Sequence, residues 1–345
     1  MPQAKYNASQ LSNKIHDVML RLLWRQWCDL GVKGHGGESG GIVIDPEALI
    51  VATCIWGRYE MRLFEEMLDW LIEFHPAINI NRLKAFHARQ SAETQSILSA
   101  VADFTGNTTG NRQWKSFEDE SSKVQIEPRA LFMRDKHTPM PPFGSNFDEV
   151  FKAHGWITGK FEPRGLAGKY IDGISALRLK MRYLFGCNAR AETIAFLLTN
   201  PDGAHPPFIG KQIGYTQKTV NDALSAMARS NYICPETSGN KRIYYLSPDF
   251  AAFLSGQRKS SGIWFNWMPA CCFLELLENK LNDPGFTELS EQAQAVELRL
   301  MLKKLPYPPA LCISRDGFSR RLATDGDITQ SMFAWTEELL EFMQQ

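Results

Sequence analysis

Apolar positions spaced three and four apart recur along most of the chain, as in amphipathic helices packed on a shared core. Residues 15–30 place Val18, Met19, Leu22, Leu23, Trp24 and Trp27 on one broad face, and Gly31 ends that stretch. Asp45-Pro46-Glu47 then reads as a helix start: a capping carboxylate, a proline at the first helical position and an acid in the first turn. After a break at Gly57 and Arg58, the stretch Met61 to Phe74 carries the stripe Leu63, Phe64, Met67, Leu68 and Leu71. The same period puts Glu65, Glu66 and Asp69 on a solvated face, where paired carboxylates are structural rather than catalytic. Asn81 to Phe104 reads as continued helix with Leu83, Phe86, Ile97 and Val101 inside. Further on, Leu177 to Phe185 ends at Gly186, and Asn188 caps a helix from Ala189 to Thr199. Helices are also expected from Pro248, from Pro269 within an apolar stretch rich in tryptophan, over 291–305 and over 329–343.

Breaks in the pattern divide the chain. Residues 31–41 hold six glycines, but no Gly-Lys-Ser/Thr ending follows, so a flexible loop is expected rather than a phosphate cradle. Residues 106–122 are polar and without period. From 137 onward proline, glycine and aromatic residues crowd together, and Phe147, Phe151, Trp156 and Phe161 are expected to lie across a neighbour. The expected domains are a helical one at 1–136, a connection at 137–173, a compact module at 174–254 and a C-terminal helical region at 255–345.

The module is where the pattern becomes specific. Pro207 to Ile213 forms a short helix, and Gly214, Tyr215 and Thr216 make a tight turn whose Thr216 caps the next helix, 217–230. That helix places Val220, Ala223, Leu224 and Met227 on its inner face; Gln217, Lys218, Asn221, Asp222, Ser225 and Arg229 lie opposite. Tyr232-Ile233-Cys234, a Ser238-Gly239-Asn240 tip and the returning 242–246 strand signal a hairpin. Together these read as a helix-turn-helix followed by a wing.

This stretch resembles the winged helix-turn-helix of bacterial transcription regulators of the MarR and ArsR type. Gly210 stands four positions before the turn Gly214, Val220 follows six positions after it, and Leu224 continues the stripe. Lys241 and Arg242 precede the aromatic pair Tyr244 and Tyr245, as a basic wing tip precedes its strand. The resemblance covers Ser175 to Phe253 and implies a mainly α protein: a winged helix-turn-helix with a small β-wing between N- and C-terminal helical regions. The arrangement is also similar to bacterial regulators that act as antitoxin-like partners of a neighbouring effector.

The chemistry follows from position. Gln217, Lys218, Asn221 and Asp222 lie where a recognition helix meets base edges, and Asn or Gln can bond adenine in bidentate fashion. Lys211, Thr216 and Thr219 are placed for phosphates, and Lys241 and Arg242 for the backbone or minor groove. Asp222 opposes phosphate, so one copy should bind weakly; a homodimer or a protein partner on the helical flanks would supply the rest. Double-stranded DNA is the expected partner. The contrasting expectation is a non-catalytic adaptor whose winged helix docks a protein.

Charge and composition narrow the field. The formal net charge is zero, so no global field draws the chain to nucleic acid, but Lys and Arg outnumber Asp and Glu nine to five over 174–250. Over 275–345 the balance reverses, seven to twelve. A basic middle between neutral and acidic parts suits a DNA-reading module carried by a different body. The seven cysteines show no framework or metal-ligand spacing, so reduced, largely buried thiols, no metal and no cofactor are expected. No nucleophile elbow or Cys/His context suggests an enzyme. A polar start without a leader-like segment and no long apolar run point to a cytoplasmic protein without a membrane span.

Overall fold

Pro46–Trp56 is apolar almost all round, and a helix of that kind belongs in the middle of a structure. In the computed structural model this helix, α2, is capped by Asp45 Oδ1, which accepts from Ala48 N, and every residue of it except Ile55 is buried. The structure describes residues 7–34, 40–117, 128–141, 146–165, 167–168, 171–239, 241–256, 262–312, 322 and 327–345.

Around α2 pack α1 (Ala8–Asp29), α3 (Met61–Phe74), α4 (Ile80–His87) and α5 (Ala92–Thr109). The short β1 (Arg129–Ala130), α6 (Glu149–Ala153) and β2 (Trp156–Ile157) follow, and β1 pairs with β2 in parallel. Next come α7 (Leu177–Phe185), α8 (Ala189–Leu198), α9 (Pro206–Ile213) and α10 (Gln217–Ala228). The antiparallel hairpin β3 (Ile233–Ser238) and β4 (Lys241–Leu246) pairs Ile233 with Leu246 and Ser238 with Lys241. After it stand α11 (Pro248–Ser255), α12 (Trp267–Leu281), α13 (Pro284–Thr287), α14 (Glu291–Lys304) and α15 (Ile328–Met343). The protein is mainly α, and its strands form two small two-stranded sheets among the described residues. No described helix is long and apolar enough to cross a membrane.

Two apolar cores result. The larger is shared by α1–α5, the 129–161 segment and α12–α15, so that early and late parts of the chain interlock. Phe151 and Phe161 sit 4.9 Å apart in it, packed with Phe64 and Phe104. The smaller core is built from α7–α10 and the hairpin, with Val43 and Trp264 joining from outside that run. Ala204 also bonds Tyr244 through both backbone groups, 3.0 Å each, and so ties the segment before α9 to β4.

Four local expectations need correcting. Residues 81–104 are two helices, because the chain turns at Ala88–Gln90 and Ser91 caps α5 through Thr94 N. Helix α12 starts at Trp267, with Pro269 inside its first turn, and the Asp283-Pro284-Gly285 turn opens the short α13. Glu66 and Asp69 are buried rather than solvated. The segment after Phe161 crosses them: Asp69 Oδ1 accepts from the N–H groups of Arg164 (2.7 Å) and Gly165 (2.9 Å), and Glu66 Oε1 accepts from Arg164 Nη2 at 3.2 Å. Residues 106–109, expected to lack structure, belong to α5. Residues 35–39 of the glycine-rich loop, 118–122 of the polar stretch and Asn240 of the hairpin tip lie outside the described residues.

Candidate functional site

The helix pair α9–α10 is fixed by its own turn. His205 Nδ1 caps α9 by accepting from Phe208 N at 3.0 Å, and two prolines follow where no intrahelical donor is needed. Gly214 ends α9 in the left-handed conformation (φ 77°), and both Gly214 N and Tyr215 N donate to Gly210 O. Gly210 has a second reason to lack a side chain. A Cβ there would stand 2.7 Å from Tyr215 O, closer than any real contact. Thr216 Oγ1 then accepts from Thr219 N at 3.2 Å and starts α10.

Val220, Ala223 and Leu224 bury one face of α10 in the smaller core. At about 100° per residue, Lys218, Ser225 and Arg229 point directly away from that core. Gln217, in the first turn, and Lys218 are exposed, and Asn221 is half-buried on the helix flank; none of the three lines the adjoining cleft. Thr219 and Asp222, also exposed, turn toward the body of the protein and line a cleft there with Thr216 and Lys211. Lys241 and Arg242 are exposed on β4 beside the hairpin tip, and the Arg242 guanidinium lies over the Tyr244 ring at 5.8 Å. The structure therefore divides the nine residues into an outer group on α10, a cleft group and a hairpin pair.

The cleft has a volume of about 930 Å³ and lies between α4 and the starts of α8, α10 and α12. Arg82, Arg89 and Arg190 line it, and so do Phe86, Tyr215 and Tyr307. Its walls are tied together. Asn79 Nδ2 donates to the Tyr215 hydroxyl at 2.8 Å, and Asn266 Nδ2 donates to Gln212 Oε1 at 2.8 Å. Burial, with Glu192 nearby, pushes the Tyr215 hydroxyl up to about 12, so it stays protonated across the physiological range.

Below the cleft floor is a buried ionic network that joins α2 and α4 to α7 and α8. Arg182 holds Glu47 with two bonds, 2.6 and 2.9 Å, and donates Nε to Glu192 Oε1 at 2.6 Å. Arg82 binds Glu47 at 2.6 Å and also both oxygens of Asp45, and Arg178 shares Asp45 Oδ2 with it. Arg178 Nε lies 2.9 Å from Glu192 Oε2, an ionic contact without hydrogen-bond alignment, and its guanidinium stacks on Trp264 at 4.4 Å. Burial alone would raise the Asp45 pKa, but Arg178 and Arg82 override it and hold the carboxyl well below the usual carboxylate range. Glu47 is lowered in the same way: burial opposes, and Arg182 wins. Three arginines and three acids cancel, so the network is a neutral latch.

The network and the three cleft arginines were not expected from the sequence. Two signals stood in it: Arg178 and Arg182, four apart on the apolar face of α7, and Glu192 inside the apolar run of α8. No group of three or more His, Cys, Asp or Glu suited to a metal occurs among the described residues. Burial pushes the Cys54, Cys271 and Cys312 thiols far up, which makes them unreactive as nucleophiles. No protein-family model, characterised protein or solved structure matches the chain.

Proposed function

We propose that this chain is a non-catalytic, sequence-specific DNA-binding regulator of transcription whose 174–254 region is a winged helix-turn-helix. In this reading α10 enters the major groove, and Gln217, Lys218 and Asn221 meet base edges near its start. Lys241 and Arg242 reach the adjacent backbone or minor groove. One observation carries the reading: α10 is locked by Val220 and Leu224 while its opposite face, led by Lys218, stands exposed. At 12 residues the helix is about 18 Å long, enough to lie along a groove. Lys211, Thr216, Thr219 and Asp222 face the cleft, so their share in base or phosphate contact is smaller than that of the outer group.

Fluorescence polarisation with the upstream region of the chain's own gene as probe tests the reading. Binding should weaken steeply between low and moderate salt, because each neutralised phosphate releases counterions. Lys218→Ala with Asn221→Ala should lower affinity for the preferred site by about 1–3 kcal/mol per lost base contact and relax its sequence preference. Retention that does not respond to salt would sink the proposal.

A second reading, an adaptor or antitoxin-like partner of another protein, is favoured by apolar surface. Phe253 on α11 is 78% exposed and Leu184 on α7 is 64% exposed, both outside the reading face. Pull-down of one stoichiometric partner, lost in Phe253→Asp, with no DNA retention would support it instead.

A further inference from the structure

We propose that the cleft between α4 and α10 binds a small phosphate-bearing molecule, independently of any DNA contact made by the outer face of α10. Size comes first. A volume of about 930 Å³ falls within the range of small-molecule sites and near its upper end.

Charge decides the class of ligand. Asp45 and Arg82 on the floor belong to the neutral latch and cancel within it. The field in the open part is therefore set by Arg89, Arg190 and Lys211 against the single carboxylate of Asp222. None of these three cations has an ion-pair partner among the described residues. Elsewhere the protein commonly pairs its cations, as Arg164 with Glu66 and Lys280 with Glu297 show. Arg89 is held in place by stacking on Tyr307, 4.7 Å from the ring centre.

The backbone adds to this. Four helices begin at the cleft: α4 at Asn79 and Asn81, α8 at Asn188 and Ala189, α10 at Thr216, and α12 at Asn266 and Met268. Each start brings a partial positive charge to the cleft, although Asn79, Asn188 and Thr216 already accept first-turn N–H groups at three of them. Three separated cations and four helix starts suit a ligand with more than one negative group. Planar guanidinium forks at Arg89 and Arg190 favour phosphate oxygens over a point anion. The Asn79–Tyr215 and Asn266–Gln212 bonds fix the walls relative to one another before a ligand arrives, so little ordering cost remains.

Isothermal titration calorimetry on the full chain, with inorganic phosphate, pyrophosphate and adenosine triphosphate as probes, tests the proposal. Pyrophosphate and the triphosphate should bind, inorganic phosphate more weakly, and the melting temperature should rise with each in that order of affinity. Arg190→Ala with Lys211→Ala should lower pyrophosphate affinity by about tenfold or more. Both side chains are exposed, so the ligand-free melting temperature should not change, and Arg89→Gln gives a second, independent loss. Lys303→Ala, on exposed α14 outside the cleft, should bind as the parent does. The proposal is overturned if no probe binds at ~5 mM, a level at which even weak binding adds stability. It is equally overturned if the double variant binds normally, or if Lys303→Ala weakens binding as much as the cleft variants do. A chain that binds pyrophosphate but not DNA would keep this proposal and remove the regulator reading; the opposite result would do the reverse.

Discussion

Glu47 has no exposed side-chain surface, and its carboxylate is held by Arg182 and Arg82. Glu47→Ala would leave two buried guanidiniums short of their counter-charge, and an expected loss of about 3–5 kcal/mol should appear as a lower urea midpoint. The acid limb of the stability profile follows from the same residues. Unfolded carboxylates titrate near 4. Asp45 and Glu47 are depressed below their ordinary values when folded, so their contribution is complete above about pH 4 and is lost as pH falls toward the folded values. Glu275 runs the other way. Burial pushes it up to about 7, against a hydrogen bond from Thr94 Oγ1 at 3.3 Å. The folded chain then binds the extra proton, and stability falls as pH rises from about 4.3, the unfolded Glu value, toward 7. Glu275→Gln should accordingly be more stable than the parent at pH 8, and the difference should vanish near pH 4 in paired thermal melts.

At the scale of elements, the α9–α10 turn leaves no room for a side chain at Gly210. Gly210→Ala forces a Cβ against a backbone carbonyl, which has no flexible end to yield. A loss of about 1–3 kcal/mol is expected from such overpacking, and circular dichroism melts would register it. Much of this segment was legible locally. Asn188 and Thr216 as caps, Gly214 as terminator and the Val220-Leu224 stripe all act within a few residues of one another. The 81–104 stretch conceals its division for a related reason: its apolar period carries through the break, and only the Ser91 cap marks where the second helix begins. Glu66 and Asp69 failed differently. Helical period says which face a residue takes, not whether a segment nearly a hundred positions later covers that face. The latch and the cleft share this limit, since Glu47 and Arg182 stand 135 positions apart. No local pattern pairs them.

For the whole molecule, the ties across the cleft determine how firmly α9 and α10 are held to the body. Tyr215→Phe with Asn266→Ala removes both side-chain bonds while leaving the cores intact. Faster amide exchange over 206–228, and near Leu311, whose carbonyl Asn266 also binds, is the expected result, with a melting temperature within a few degrees of the parent. The larger core has a different consequence. Helix α1 packs on α12 and α15, and Arg25 donates to the carbonyls of Met343 and Gln344. The smaller core draws nearly all its members from 174–264, so on a ribosome it can close early from short-range contacts. The larger one must wait: α1 gains its last cover only when α12 and α15 have been made. Until then a broad apolar surface is open to solvent, and the newly made chain is the form that most needs a chaperone.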